Sequence, residues 1–150
     1  MPLSIADCWS IFCKSNSKFH SHYAVYHFYR SLGWVPKSGS KFGVDFGKIW
    51  SRQINRISQF IPNLVLYQSG PSFRHADFAV IVIPLVSDKI EEPKSWDWLL
   101  RLNRICTQVK KTLMLCYVTI PKETNSFLNL DEYHVRQVIY KRWSPQRNRE

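Results

Sequence analysis

Carboxylates are scarce in this 150-residue sequence, which has 11 Asp and Glu residues against 21 Lys and Arg residues. The resulting formal net charge of +10 favours a polyanionic partner, and nucleic acid is the commonest of these. Ribosomal, membrane-associated and ordinary soluble proteins can be equally basic. The charge therefore indicates a class of partner without defining it.

Long apolar runs and paired cysteines are also missing. No run approaches the roughly 20 residues that span a bilayer, and no signal peptide is visible, so we expect a soluble intracellular protein without a membrane span. None of the four cysteines forms a C-x-x-C pair or has a histidine at zinc-finger spacing, so we expect neither a metal site nor a cofactor. Cys106 and Cys116 lie in apolar stretches, which predicts that both are buried.

The high content of hydrophobic and aromatic residues indicates a folded chain. Hydrophobic residues make up 45% and aromatic residues 15% of the sequence, and disordered chains lack both. The length fits one domain with a small helical appendage. We expect an N-terminal helical segment over residues 1–33, a main domain over 34–143 and a charged tail over 144–150.

Two helices are predicted in the N-terminal segment. Ser4 can cap a first helix that runs through Trp9 and Phe12. A second helix is predicted over residues 22–32, and Gly33 ends it in the position where glycine usually follows a helix. Helical spacing assigns three tyrosines of this helix to the core: Tyr23, Tyr26 and Tyr29.

The main domain alternates between strand and helix patterns. Residues 34–37 suit a short edge strand because they contain Pro36. Further strands are predicted over 63–67, 78–83, 112–120 and 135–143, the third of them buried on both faces, with a loop through Asn125 and Asn129 before the last. Ser95 opens a helix between the second and third of these. The order predicts a compact mixed α/β domain.

A glycine-bearing loop over residues 38–43 contains Lys41, a candidate RNA-binding residue. The loop could cradle a phosphate, although it lacks the Gly-Lys-Ser/Thr ending of a P-loop. A tight turn between strands is the alternative interpretation.

Three segments in order resemble the tRNA-splicing endonuclease family. Residues 33–45 form a loop ending in Lys-Phe-Gly-Val-Asp, residues 66–78 place a Tyr and a His on either side of a Gly-Pro turn, and residues 109–117 place a lysine before a buried strand. The resemblance runs from Trp9 to Trp143. It implies an endonuclease-like α+β fold with a central mixed sheet flanked by helices, and a catalytic domain over 34–143.

Within the family, residues 26–37 and 113–117 look most like the eukaryotic subunit that cleaves the 5′ splice site. The paralogous 3′-splice-site subunit and a non-catalytic subunit of the same complex are alternatives. A general basic RNA-binding module is a further alternative, although neither an RNP-type aromatic motif nor a KH-type G-x-x-G loop is present.

The resemblance implies a catalytic triad in which Tyr67 is the general base, His75 the general acid and Lys111 the electrostatic stabiliser. These residue types suit cleavage by the RNA 2′-hydroxyl, since an imidazole titrates at about pH 6.5 and an ammonium group can stabilise charge on a phosphate. A phenol with its usual pKa of about 10 needs a nearby positive charge to act as a base. Lys110 is the neighbour most easily confused with Lys111.

Two further residues could bind RNA. In the family, an arginine and an aromatic residue at the places of Arg104 and Trp143 sandwich a flipped-out base at the partner subunit's active site. Alternatively, Arg104 is a solvated helix residue and Trp143 covers the core.

The resemblance also implies partners and a compartment. Family members act on intron-containing pre-tRNA as heterotetramers, so we expect other endonuclease subunits as partners. We expect a nuclear protein, with the cytoplasm and the mitochondrial outer surface as alternatives.

An insert of about eighteen residues, 46–63, separates the first two resembling segments, where relatives have almost none. Its residues Trp50, Ile54, Ile57 and Ile61 would line one side of a helix. The insert is either a surface helix or translated intron sequence.

Overall fold

The computed structural model describes residues 2–39, 64–72, 75–86, 89–90, 94–121 and 127–143. The first helix, α1, spans Ile5–Ser15 and starts as predicted at Ser4. The Ser4 hydroxyl accepts a hydrogen bond from the Asp7 amide at 3.1 Å, and the Asp7 carboxylate accepts one from the Ser4 amide at 3.1 Å. This reciprocal pair satisfies two amides that a helix start otherwise leaves unbonded.

The second helix, α2, spans Phe19–Ser31, so it starts three residues before the predicted residue 22, and Gly33 follows its end as predicted. Gly33 has φ +85°, and its amide donates to the Arg30 carbonyl while the next amide, of Trp34, donates to Tyr29. The assignment of all three tyrosines to the core was wrong, because residues three apart drift around a helix with 3.6 residues per turn. Tyr29 is buried, Tyr23 is partly buried and Tyr26 is 40% exposed.

The described strands form one six-stranded sheet in the order β1-β2-β3-β5-β6, with β4 paired to β3. The strands are β1 Val35–Ser38, β2 Leu64–Tyr67, β3 Phe78–Val86, β4 Lys89–Ile90, β5 Thr112–Ile120 and β6 His134–Tyr140. Strands β3 and β5 are parallel and the other pairs are antiparallel. A third helix, α3, spans Trp96–Gln108 and connects the parallel pair, as parallel strands require.

The mixed α+β prediction is confirmed, and so are the Ser95 cap of α3 and the bounds of β5. The structure differs from the local predictions at four places. Strand β3 continues to Val86, beyond the predicted end at residue 83. The last strand ends at Tyr140 and not at residue 143, the loop predicted around Asn129 contains a 3₁₀ helix at Phe127–Glu132, and the two-residue strand β4 was not predicted.

The sheet is covered by a helix on each face. Alternating residues of β3 and β5 point to opposite sides, so both faces of these strands are apolar. One core cluster includes Val25 and Tyr29 of α2 together with Val80 and Cys116. The other joins Trp98, Leu102 and Cys106 of α3 to residues such as Ile81 and Leu113. The predicted burial of both cysteines is confirmed.

Several predictions fall on residues outside the described ranges. These are Lys41 with its loop beyond Gly39, the insert 46–63 and the tail 144–150. Within the described ranges, no helix combines the length and the apolar character needed to cross a membrane.

Candidate catalytic end of the sheet

Three segments of the chain meet where β2 ends and where β3 and β5 begin. Leu66 of β2 pairs with Phe78, the first residue of β3, and Phe78 pairs with Thr112, the first residue of β5. Tyr67 ends β2, His75 precedes β3 by three residues and Lys111 directly precedes β5. We call this the site end of the sheet, and it brings the backbones of all three predicted catalytic residues together.

The turn after α3 determines where Lys111 lies. The Lys110 amide donates to the Thr107 carbonyl at 3.1 Å, and the Lys111 amide donates to the Cys106 carbonyl at 2.9 Å. This is the pattern that usually places glycine in a left-handed conformation, and here Lys110 adopts it with φ +55°. The reversal leaves Lys110 exposed, whereas Lys111 is only 9% exposed.

The buried ammonium group of Lys111 is tied to the histidine segment. Its Nζ donates a hydrogen bond to the Ala76 carbonyl oxygen at 3.2 Å. Ala76 is itself buried and directly follows His75 in sequence. A buried cation needs such a partner because loss of hydration is expensive.

Asp77 connects the other segments through its backbone. Its amide donates to the Leu66 carbonyl at 3.1 Å, and its carbonyl accepts from the Thr112 amide at 2.9 Å. These bonds fix the residue after Ala76 between the strand that ends at Tyr67 and the strand that follows Lys111. Backbone hydrogen bonds therefore hold the three segments of the site end together.

The electrostatics of the site centre on Lys111. Burial lowers the pKa of its ammonium group below the ordinary value, while the negative charge of Asp77 and the thiol of Cys106 act in the opposite direction. Burial also raises the pKa of the Cys106 thiol to about 11, although the nearby Lys111 opposes this. Cys106 is therefore a neutral thiol near neutral pH, and Asp77 is the charge that favours protonated Lys111.

Tyr67 and His75 differ from Lys111 in exposure. Tyr67 is partly buried opposite Val35, and His75 is exposed. An exposed imidazole on the segment that anchors the ammonium group suits a substrate that arrives from solvent. Among the residues that the structure describes, no three His, Cys, Asp or Glu side chains cluster as ligands for a metal ion.

The two predicted base-binding residues lie outside this group. Arg104 is exposed on α3, and Trp143 is 66% exposed three residues beyond the end of β6. Because Tyr140 pairs with Leu113, β6 ends on the same side of the sheet as Lys111. The alternative in which Trp143 covers the core was wrong, and a role in binding RNA remains a prediction.

Sequence reasoning missed Asp77 and the carbonyl of Ala76. Asp77 could have been predicted from the sequence, since it is a carboxylate two residues after His75 and one residue before a buried strand. The role of the Ala76 carbonyl could not be predicted, because a backbone contact between distant segments does not depend on residue identity.

Comparison with known proteins defines the class of this domain. A family model described as tRNA intron endonuclease, catalytic C-terminal domain, matches residues 54–126. That range contains β2, β3, α3 and β5 together with all three predicted catalytic residues. The fold and the match define a domain of the tRNA intron endonuclease class.

Individual relatives identify the family more closely. The tRNA-splicing endonuclease subunit Sen2 of Rattus norvegicus is 38% identical over 157 residues, covering 99% of this chain and 30% of the relative. A probable Sen2 subunit of Schizosaccharomyces pombe is 35% identical, covering 90% of this chain and 35% of the relative. The SEN2 subunit of Saccharomyces cerevisiae is 33% identical, and the similarity covers 91% of this chain and 33% of the relative. This chain is similar to the Sen2 subunits of tRNA-splicing endonucleases, and it spans about a third of the length of these curated relatives.

Proposed function

We propose that this chain is a catalytic subunit of a tRNA-splicing endonuclease and cleaves intron-containing pre-tRNA at the 5′ splice site. The observation that carries the proposal is the hydrogen bond from buried Lys111 to the carbonyl of Ala76. It anchors a cation beside the segment of His75, at the end of the sheet where the strand bearing Tyr67 also ends.

The proposed reaction uses the nucleophile that RNA supplies. Tyr67 accepts the proton of the 2′-hydroxyl, whose oxygen forms a bond to the adjacent phosphorus. The bond from phosphorus to the 5′-oxygen breaks, and His75 donates a proton to that oxygen. The products are a 2′,3′-cyclic phosphate and a 5′-hydroxyl, and no metal ion takes part in the proposed steps.

Lys111 supplies positive charge next to the phosphate as negative charge builds on its non-bridging oxygens. A group already fixed before the substrate arrives needs little reorganisation, which makes its electrostatic contribution large.

The assembly is also part of the proposal. The relatives are named as subunits, and we propose a heterotetramer with other endonuclease subunits in the nucleus. Strand β6 lies at the end of the described strand order and exposes the apolar residues Val138 and Ile139. An edge strand of this kind can pair with a neighbouring chain.

Reconstitution with partner subunits tests the proposal and its alternatives. The complex carrying His75→Ala is compared with wild type on an intron-containing pre-tRNA. Loss of the 5′ cut alone supports the proposal, and loss of the 3′ cut alone assigns the chain to the 3′ splice site. Retention of both cuts would make the chain a non-catalytic subunit. His134→Ala is the control, because His134 is exposed and pairs with Thr119 at the opposite end of β5.

A modified substrate tests the chemistry independently. A single 2′-deoxy nucleotide at the 5′ splice site removes the proposed nucleophile. We expect loss of that cut with retention of the 3′ cut, whereas cleavage of the modified site at the normal rate would exclude attack by the 2′-hydroxyl.

A further inference from the structure

The outer face of α2 carries a row of ring side chains followed by a guanidinium group. The helix buries Ser21, Ala24, Val25 and Tyr29, so its opposite side is turned away from the core. That side carries the residues that we call the aromatic row: Phe19, Tyr23, Tyr26, His27 and Arg30. They recur at intervals of three or four residues, which places them on one face of the helix.

The rings of this row stack on one another. Tyr23 lies 5.7 Å from Phe19, 6.1 Å from Tyr26 and 6.5 Å from His27 between ring centres, with interplanar angles of 28–29° in each pair. Trp9 of α1 packs edge-on against Phe19 and Tyr23. Contacts with α1 therefore cover Phe19 and Tyr23 in part, whereas the rings of Tyr26 and His27 are exposed.

The stretch of sequence that contains the row carries charge of one sign. No Asp or Glu occurs between Asp7 and Asp45. The same stretch contains five cations, which are Lys14, Lys18, Arg30, Lys37 and Lys41. Such a segment attracts a polyanion.

The row leads towards the site end of the sheet. Arg30 lies in the last turn of α2, and its Nη1 donates to the carbonyl of Trp34 at 3.3 Å. The Trp34 ring packs edge-on against Phe78, the first residue of β3, at 5.6 Å. The next residue, Val35, pairs with Tyr67. The Arg30 end of the row is thus connected directly to the strand beside the candidate base.

We propose that the aromatic row binds a single-stranded stretch of the RNA substrate next to the scissile phosphate. Bases stack on Tyr26 and His27, and Arg30 contacts the phosphate backbone where the strand approaches the site end. The assignment of the bound RNA as substrate rests on the proposed function. Single-stranded RNA fits better than a protein partner, because this row combines stacked rings and cations with neither aliphatic side chains nor carboxylates.

Binding of a labelled oligouridine to the whole 150-residue chain, followed by fluorescence anisotropy, tests the proposal. We expect Tyr26→Ala to weaken binding about fivefold or more, since a base stacked on an aromatic ring contributes at least this much. Tyr26→Phe keeps the ring and should bind like wild type. Arg30→Gln should weaken binding and reduce its dependence on salt. Trp96→Ala and Arg101→Gln are matched controls on α3, where both residues are exposed, and should bind like wild type.

The outcomes separate the row from the catalytic proposal. Retained cleavage by His75→Ala in the assembled complex would overturn the enzyme proposal and leave the binding inference intact, because the oligouridine assay measures binding alone. Unchanged RNA binding by both Tyr26→Ala and Arg30→Gln would overturn the proposal that the aromatic row binds RNA. If Tyr26→Ala instead bound RNA normally and failed to assemble with partner subunits, the surface would be a protein contact and the inference would be wrong.

Discussion

Lys111 and Ala76 are joined by a hydrogen bond of 3.2 Å from the ammonium nitrogen to the carbonyl oxygen, across 35 residues of sequence. The bond ties the turn after α3 to the segment of His75. The side chain is buried, and burial disfavours the charged form of a lysine. The position of this lysine therefore has consequences that can be measured as a function of pH.

The stability of the chain should depend on pH through Lys111. The pKa of Lys111 is lower in the folded chain than its ordinary value of 10.5, so the unfolded state binds more protons between the two values. Stability therefore rises with pH in that window. We expect the free energy of unfolding of wild type to increase relative to that of Lys111→Met as pH approaches 10.5, measured by urea denaturation. A difference that is constant with pH would contradict the lowered pKa.

Asp77 should control the charge of Lys111 during catalysis. Asp77→Asn removes a negative charge that favours the ammonium form, so the pKa of Lys111 falls further. We expect the alkaline loss of cleavage by the assembled complex to move to lower pH. Asp97→Asn is the control, because it removes an exposed carboxylate that pairs with Arg101 at 2.8 Å on α3. An identical pH profile for wild type and Asp77→Asn would contradict this role.

Lys110 occupies a backbone position that glycine adopts more readily. Its φ of +55° crowds the Cβ atom, whereas Gly33 fills the equivalent position after α2. We expect Lys110→Gly to raise the free energy of unfolding by about 1 kcal/mol. Lys110→Ala keeps the Cβ atom and should bring no comparable gain. Loss of stability in the glycine variant would contradict the interpretation.

The hydroxyl of Tyr29 should stabilise the core between α2 and the sheet. It lies 2.8 Å from the sulfur atoms of Met114 and Cys116, and 3.2 Å from Oε1 of Gln137. Because the two contacts with sulfur are buried, we expect Tyr29→Phe to lower the free energy of unfolding by about 1 kcal/mol. Tyr26→Phe removes an exposed hydroxyl from the same helix and should have no effect. Equal stability of the two variants would show that the buried hydroxyl contributes nothing.

Local signals made much of the fold predictable from sequence. Helix ends are marked by Ser4, Gly33 and Ser95. The two serine hydroxyls accept hydrogen bonds from backbone amides of the first turn, and the glycine adopts the left-handed conformation that follows a helix. The continuous apolar run of β5 predicted a strand buried on both faces, and helices do cover both. The order of these elements predicted the mixed α+β class.

Features that depend on distant contacts could not be predicted. Tyr26 has the same residue type and similar spacing as Tyr29, and only the position of the sheet distinguishes the exposed ring from the buried one. The left-handed turn at Lys110 contradicts local preference, since lysine is not the residue expected there. The family resemblance indicated the candidate catalytic residues, and their roles stay predictions, whereas the bond to Ala76 and the bridging by Asp77 required the fold.

The most direct test of the account is the single-turnover rate of the 5′ cut by the assembled complex carrying Lys111→Met or Lys110→Met. These neighbouring residues differ in burial, and only Lys111 is anchored at the site end of the sheet. We predict a loss of at least about 100-fold for Lys111→Met, as for removal of a fixed charge-stabilising group, and little change for Lys110→Met. Cleavage by Lys111→Met at the wild-type rate would contradict the account.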